Sequence, residues 1–136
     1  MTQQQKTILY VDDDEDDRDI LSHAMREVSP DVGVVLAEDG IRALDYLNRQ
    51  KERNAQLPGL IVLDINMPYL DGRQTFEKIR SNPGLENIPI IIFTSSENPQ
   101  DKALFKSQGV ELITKPDNIH YMNRIVSYMV SHCARS

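Results

Sequence analysis

The sequence predicts an α/β fold in which five helices cover both faces of a five-stranded, doubly wound parallel sheet. Five short apolar runs alternate with longer segments whose apolar residues recur at helical spacing. Each short run is continuously apolar, which is typical of strands buried on both faces. The chain has 136 residues, enough for one domain with a single core.

Each strand is predicted from one apolar run. In chain order the strands are Thr7–Val11, Gly33–Ala37, Leu60–Leu63, residues 90–93 and residues 110–113. Strands that alternate with helices form parallel sheets, and their crossovers are right-handed in nearly all known cases. We therefore expect the strand order 2-1-3-4-5, the flavodoxin-like arrangement common at this size.

The helices are predicted from apolar residues spaced three and four apart. The first helix opens in an acidic run whose residues 14–17 we interpret as mostly solvated, because acids there complement the helix dipole. It stops before Pro30. The five apolar stripes are Ile20, Leu21, Ala24, Met25 and Val28; Ile41, Leu44 and Leu47; Phe76 and Ile79; Ala103 and Leu104; and Met122, Ile125, Val126, Met129 and Val130.

Composition argues against several classes of function. The formal net charge is -6, and no block of Lys or Arg stands out, so nucleic-acid binding is not expected. Cys133 is the only cysteine, which excludes an internal disulfide. No apolar run resembles a signal peptide or a membrane span. We expect a cytoplasmic protein without a membrane partner.

Reactive side chains follow four of the five predicted strands. They are Asp12 and Asp13, Asp64, Thr94 with Ser95, and Lys115. The carboxyl ends of parallel strands meet at one edge, so these side chains are expected to converge there. Clustered carboxylates repel one another unless a cation lies among them, and Mg²⁺ prefers such oxygen ligands.

This set of side chains suits phosphoryl transfer. A metal ion and a lysine neutralise phosphoryl oxygens, and a hydroxyl group donates a hydrogen bond. A carboxylate can serve as the nucleophile and form an aspartyl phosphate. Asp64 is the best candidate, because it follows the third strand, which is expected near the centre of the sheet.

The chain resembles two-component response-regulator receiver domains over roughly residues 6–130. The resemblance rests on Asp12-Asp13, the stretch DINMPYLDG from Asp64 to Gly72, Phe93-Thr94-Ser95 and Lys115-Pro116. It implies a receiver domain over residues 7–133, with a flexible N-terminus at residues 1–6 and a C-terminal tail at residues 134–136. The single-domain chemotaxis regulators are the most similar well-known members.

The resemblance also implies a role for each matching residue. Asp64 would be the phosphoacceptor, and Mg²⁺ or Mn²⁺ would be bound by Asp13, by Asp12 largely through water, by Asp64 and by the backbone carbonyl of Asn66. Lys115 would pair with the phosphoryl group. Thr94 would bond a phosphoryl oxygen and, with Ser95, form part of the switch. The Lys115-Pro116 peptide bond would be cis.

Two positions depart from the family pattern. Leu112 stands where most members carry the Tyr or Phe of the switch, and Asp117 replaces a common aromatic after the Lys-Pro pair. Leu112 fills apolar space but lacks a ring, so the usual threonine–aromatic coupling is left open. Asp117 is predicted to cap the last helix.

The expected function is that of a stand-alone signalling switch and not an enzyme, although it would assist its own phosphorylation and dephosphorylation. Its phosphodonor would be a sensor histidine kinase or a histidine phosphotransfer protein, and its output a downstream protein target. The resemblance also allows homodimerisation through the face formed by the fourth helix, fifth strand and fifth helix.

Other interpretations account for fewer residues. An EF-hand loop that starts at Asp12 would need Gly and Glu where Asp17 and His23 stand. A phosphatase of the haloacid-dehalogenase type could use Asp12 and Asp14, but it would leave Asp64 without a role. A flavin-binding module shares the fold but needs a phosphate loop where the acidic cluster stands. A receiver that folds but is never phosphorylated is the remaining alternative.

Overall fold

Five parallel strands form the centre of the molecule in a computed structural model that describes residues 6–134. The strands are β1 (Thr7–Val11), β2 (Gly33–Ala37), β3 (Leu60–Leu63), β4 (Ile90–Thr94) and β5 (Glu111–Thr114). Their order in the sheet is β2-β1-β3-β4-β5, which confirms the predicted topology. β1 and β3 therefore lie inside the sheet, and apart from the half-buried Thr7 their residues are buried.

Five α-helices connect the strands: α1 (Glu15–Val28), α2 (Gly40–Glu52), α3 (Gly72–Arg80), α4 (Pro99–Ser107) and α5 (Met122–Ser131). Side chains cap the first four, because the carboxylates of Asp14, Asp39 and Asp71 and the amide of Asn98 each accept a backbone N–H of the first turn. Among residues 6–134, no helix combines the length and apolar character needed to cross a bilayer.

The core has two layers, one on each face of the sheet. On one face, α1 and α5 pack against β1, β3 and β4 through Leu21, Met25 and Val126. On the other face, α2, α3 and α4 pack through Leu47, Phe76 and Phe105, and the two phenyl rings meet edge to face. Two-sided burial is the reason that the strands are continuously apolar.

Three local predictions differ from the structure. β4 is one residue longer than predicted, because the buried Thr94 still belongs to the strand. β5 runs one residue later than predicted, because Glu111 pairs with Ile91 while Val110 lies before the strand. Asp117 does not cap the last helix. Asn118 instead accepts the His120 N–H (3.0 Å) and opens the short 3₁₀ turn Ile119–Tyr121, which leads directly into α5.

The predicted flexible N-terminus and C-terminal tail fall mostly outside the described residues, namely at residues 1–5 and 135–136. The described ends are paired through their backbones. The Lys6 carbonyl accepts the Gly33 N–H (2.8 Å), and the Ala134 N–H donates to the Gly59 carbonyl (3.0 Å).

Candidate functional site

The predicted functional side chains lie at one edge of the sheet, where the parallel strands end. Asp12 and Asp64 directly follow the paired central strands β1 and β3. The backbone ladder continues beyond the strands, since the Asp64 N–H donates to the Val11 carbonyl (3.0 Å) and the Lys115 N–H donates to the Thr94 carbonyl (2.8 Å). Strand pairing therefore brings together residues that are far apart in sequence.

Three carboxylates share this site as predicted. One oxygen atom each from Asp12, Asp13 and Asp64 lies within 4.8 Å of the other two. Asp12 is fully buried and Asp64 is only 6% exposed, whereas Asp13 is exposed. The cluster thus has a buried inner side and a side that is open to solvent.

Asp12 is held by hydrogen bonds on both carboxylate oxygens. Its Oδ2 accepts from the Tyr10 phenol and from Lys115 Nζ (2.7 Å), and its Oδ1 accepts from the Asp14 N–H (3.0 Å). The Arg18 guanidinium donates to the Asp12 backbone carbonyl (2.7 Å). Asp12 is therefore fixed in place by donors from four different residues.

Lys115 provides the positive charge of the site. Its ammonium donates to Asp12 Oδ2 (2.7 Å), Asp17 Oδ2 (2.8 Å) and Asp64 Oδ2 (3.2 Å). Burial alone would lower the pKa of Lys115, but the hydrogen bonds to Asp12 and Asp17 and the charge of Asp64 raise this pKa above its usual value. The lysine therefore stays charged among the carboxylates.

Asp64 is the central carboxylate. Its Oδ1 accepts the Ile65 N–H (2.7 Å), and its Oδ2 accepts from Lys115. Burial raises the pKa of Asp64 above its usual value; Lys115 opposes this, Asp12 adds to it, and a hydrogen bond from Thr94 also opposes it. The charged form is thus only partly compensated by the protein, and additional positive charge would stabilise it.

A divalent cation fits this donor set. The three clustered donors are hard carboxylate oxygens, and Mg²⁺, Mn²⁺ and Ca²⁺ all take such ligands. The carboxylate of exposed Asp13 faces solvent, where a hydrated ion would approach. The oxygens of Asp12 already accept hydrogen bonds, so Asp12 is better suited to binding through water. Asn66, which is also exposed, follows Asp64 by two residues.

The predicted switch residues are the last residue of β4, the residue after it and a residue of β5. Thr94 is buried, Ser95 is exposed, and the Ser96 N–H donates to Thr94 Oγ1 (3.2 Å). Leu112 pairs with Ile92, two residues before Thr94, so it lies on the same face of the sheet as Thr94. There it is half-buried against the layer of α2, α3 and α4.

A partly buried ion pair lies next to the loop after Thr94. The Arg73 guanidinium of α3 pairs with Asp101, which is 5% exposed in the first turn of α4. Asp101 Oδ2 also accepts the Ser96 hydroxyl (3.3 Å), and Ser96 Oγ accepts the Asn98 N–H (3.3 Å). This network joins α3, α4 and the loop that carries the predicted switch.

Two residues of the site are absent from the sequence interpretation. Asp17 is predicted to belong to a solvated helix start, but it binds Lys115. Asp13 lies before α1, so helical spacing does not relate Asp17 to the acids after β1. Tyr10 is predicted only as part of a strand. It precedes Asp12 by two residues and so points to the same side of β1.

The predicted cis Lys115-Pro116 bond was wrong, since residues 6–134 contain no cis peptide bond. The trans isomer of an X-Pro bond is the more stable one by about 0.5–1 kcal/mol. With the trans bond, the Lys115 ammonium already reaches all three of its carboxylate partners. Leu112 lies inside β5, and the other predicted site residues lie at or just beyond the carboxyl ends of their strands.

Comparisons with known proteins agree with this geometry. A family model described as the response regulator receiver domain matches residues 8–126. Response regulator Rcp1 of Synechocystis sp. is 35% identical over 97 residues, which cover 71% of this chain and 66% of Rcp1. A probable cyclic di-GMP phosphodiesterase of Vibrio cholerae is 35% identical, but the chain covers only 24% of its length. The chain thus spans less than two thirds of these two curated relatives.

Solved structures show the same fold over nearly the whole chain. The Mn²⁺-bound form of Rcp1 is 30% identical, with a TM-score of 0.80 over 93% of this chain and 92% of that one. The phosphorylated cyanobacterial phytochrome response regulator RcpA is 32% identical, with a TM-score of 0.83 over 96% and 97% of the two chains. The chain belongs to the response-regulator receiver family.

Proposed function

We propose that the chain accepts a phosphoryl group on Asp64 from a phosphohistidine donor and signals through contacts with a protein target. The observation that carries the proposal is that Asp64 lies next to both Lys115 Nζ and the acidic pair Asp12 and Asp13. A carboxylate in this setting has a positive partner ready for a phosphoryl oxygen and a place for a divalent cation beside it.

In the proposed step, a carboxylate oxygen of Asp64 attacks phosphorus. The P–N bond to the donor imidazole breaks, and its electron pair stays on the imidazole nitrogen. Mg²⁺, or Mn²⁺, held by Asp12, Asp13, Asp64 and the backbone carbonyl of Asn66, would neutralise charge on the phosphoryl oxygens. Lys115 would bind one of these oxygens. Hydrolysis of the acyl phosphate by water would then regenerate the Asp64 carboxylate.

The proposed output begins at Thr94. Its hydroxyl, buried next to Asp64, would bind a phosphoryl oxygen, and the loop with Ser95 would follow the movement. Leu112 lies on the same face of the sheet and would fill apolar space without a ring to rotate. A signal that passes from Thr94 to β5 would therefore depend on repacking of the aliphatic Leu112 side chain.

The donor would be a sensor histidine kinase or a histidine phosphotransfer protein, as the receiver fold and the acceptor site both support. Such donors obtain their phosphoryl group from ATP, which supports a cytoplasmic location. Homodimerisation through α4, β5 and α5 stays a prediction. A measurement of molar mass by light scattering, with and without phosphorylation, would test it.

The proposal is tested by treating the purified chain with a small acyl phosphate and Mg²⁺. We expect one added phosphoryl group, lost on treatment with hydroxylamine, as an acyl phosphate requires. Reduction with borohydride and peptide mass spectrometry should locate the modification at Asp64. A modification that survives hydroxylamine, or one mapped to another residue, would refute the proposal.

We predict that Mg²⁺ raises the midpoint of thermal unfolding, because a ligand that binds the folded state stabilises it. In Asp13→Asn, which removes a direct ligand, the Mg²⁺ concentration required should rise by at least about tenfold. Asp16→Asn is the matched control, since Asp16 is exposed and lies outside the carboxylate cluster. An unchanged Mg²⁺ response in Asp13→Asn would show that the cation is bound elsewhere.

A further inference from the structure

We propose that Asp17 is a positioning residue for phosphoryl transfer, which holds the Lys115 ammonium in place next to Asp64. The inference rests on the proposed function and extends it to a carboxylate outside the metal-binding cluster. Asp17 lies in the first turn of α1 and is separated from Lys115 by 98 residues in sequence. The pair thus connects α1 with the loop between β5 and α5.

The geometry at the ammonium carries the inference. A lysine ammonium has three N–H donors, and Lys115 directs them to Asp12, Asp17 and Asp64 at 2.7, 2.8 and 3.2 Å. The two shorter contacts are those to Asp12 and Asp17. The ammonium is therefore anchored from two sides, and the weaker third contact is the one that faces the acceptor.

Phosphorylation changes only the third partner. When Asp64 becomes an acyl phosphate, the N–H that faced its carboxylate is available to a phosphoryl oxygen. Asp12 and Asp17 keep their hydrogen bonds with the Lys115 ammonium, so the ammonium stays in the same position. Lysine has a long, flexible side chain that loses rotamer entropy when it is fixed, and a site that fixes it beforehand avoids that cost during the reaction.

The burial of the two side chains supports a fixed pair. The Lys115 side chain is only 12% exposed and that of Asp17 is 34% exposed, whereas the aspartates before Asp17 in the acidic run, other than Asp12, are in the exposed class. A semi-buried, hydrogen-bonded pair restricts motion more than a pair at the surface does. The contacts of Asp17 also include its own N–H, which donates to the capping carboxylate of Asp14 (3.2 Å) and fixes its backbone.

The test compares the wild-type chain with Asp17→Asn, Asp17→Glu, Asp16→Asn and Lys115→Met, together with the double variant Asp17→Asn/Lys115→Met. The rate of Asp64 phosphorylation by a small acyl phosphate is measured at saturating Mg²⁺. The Mg²⁺ midpoint is measured separately, without phosphodonor, from thermal unfolding. Circular dichroism establishes that each variant is folded.

We expect Asp17→Asn to slow phosphorylation by about tenfold, the low end of the effect of losing a partner that orients a reactive group. Its Mg²⁺ midpoint should match that of the wild type, because Asp17 is not a ligand. Asp17→Glu should recover part of the rate, and Asp16→Asn should leave it unchanged. In the Lys115→Met background, Asp17→Asn should cause no further loss, since its effect passes through Lys115.

Three results would overturn the inference: an Asp17→Asn rate equal to or above that of Asp16→Asn, a Mg²⁺ midpoint that shifts in proportion to the rate, or an additive loss in the double variant. The first would mean that Asp17 only competes for the lysine, and the second that it acts on the metal. Failure of the proposed function is recognised separately, as an absence of hydroxylamine-sensitive phosphate on Asp64 in the wild-type chain.

Discussion

Replacement of Asp64 by asparagine or alanine is expected to reduce phosphorylation by small acyl phosphates and by histidine donors to background. Asparagine has nearly the same shape as aspartate but an amide in place of the nucleophilic carboxylate. The loss should therefore occur without a change of fold. Incubation with radiolabelled phosphodonor and Mg²⁺, followed by gel electrophoresis at neutral pH, measures the label directly.

Asp16→Asn is the matched control for this experiment, because it removes one carboxylate from an exposed position in the first turn of α1. It should retain full labelling. Asp64→Asn should also be at least as stable as the wild type without Mg²⁺, since burial raises the pKa of Asp64 and so disfavours its charged form. If Asp64→Asn were labelled as strongly as the wild type, another residue would be the acceptor.

The second large effect is expected at Gly72, the first residue of α3. A Cβ atom at this position would lie 2.2 Å from the Asp64 carbonyl oxygen and 2.7 Å from the Ile65 Cα. Both neighbours are backbone atoms that cannot rotate away. Gly72→Ala should therefore lower the free energy of unfolding by about 3 kcal/mol or more, at the upper end of the cost of overpacking. Urea denaturation followed by circular dichroism measures it.

Gly109→Ala separates this steric effect from the general cost of losing a glycine. Gly109 has a φ of +72°, and a Cβ atom at this position would have no neighbour within 4 Å. The only cost of alanine here is therefore that of holding a residue with a Cβ atom in the left-handed backbone conformation. We expect a loss of about 1–2 kcal/mol there. Gly72→Ala should in addition slow the phosphorylation of Asp64, because α3 can relax only by moving the chain at Asp64. Equal stability losses at the two positions would contradict the steric argument.

The strands were predictable because the sheet is buried on both faces. In β3 all four residues are fully buried, and such a strand has to be continuously apolar. β5 lies at the edge, where Glu111 and Thr114 are exposed, and its boundary is shifted by one residue. The apolar pattern weakens where side chains face solvent, as in β5, and it ends one residue early in β4, because the buried Thr94 is polar.

The main acids of the site were predictable for a different reason. Parallel pairing aligns the carboxyl ends of the strands, so Asp12 and Asp64 meet without any specific contact between their side chains. Strand alignment does not predict the contact of Asp17 with Lys115 or the pairing of Arg73 with Asp101. Each depends on how a helix is placed against the sheet or against another helix, and a local sequence pattern does not contain that placement.

The contacts of Lys115 with three carboxylates should help the domain to stay folded when no metal ion is bound. The ammonium acts as a built-in counter-ion, since it offsets part of the repulsion among Asp12, Asp17 and Asp64 from within the fold. We therefore expect the chain to keep its native structure in the presence of a chelator. Under the proposed function, a divalent cation would then be an exchangeable reactant, and its removal would stop phosphorylation without unfolding the protein.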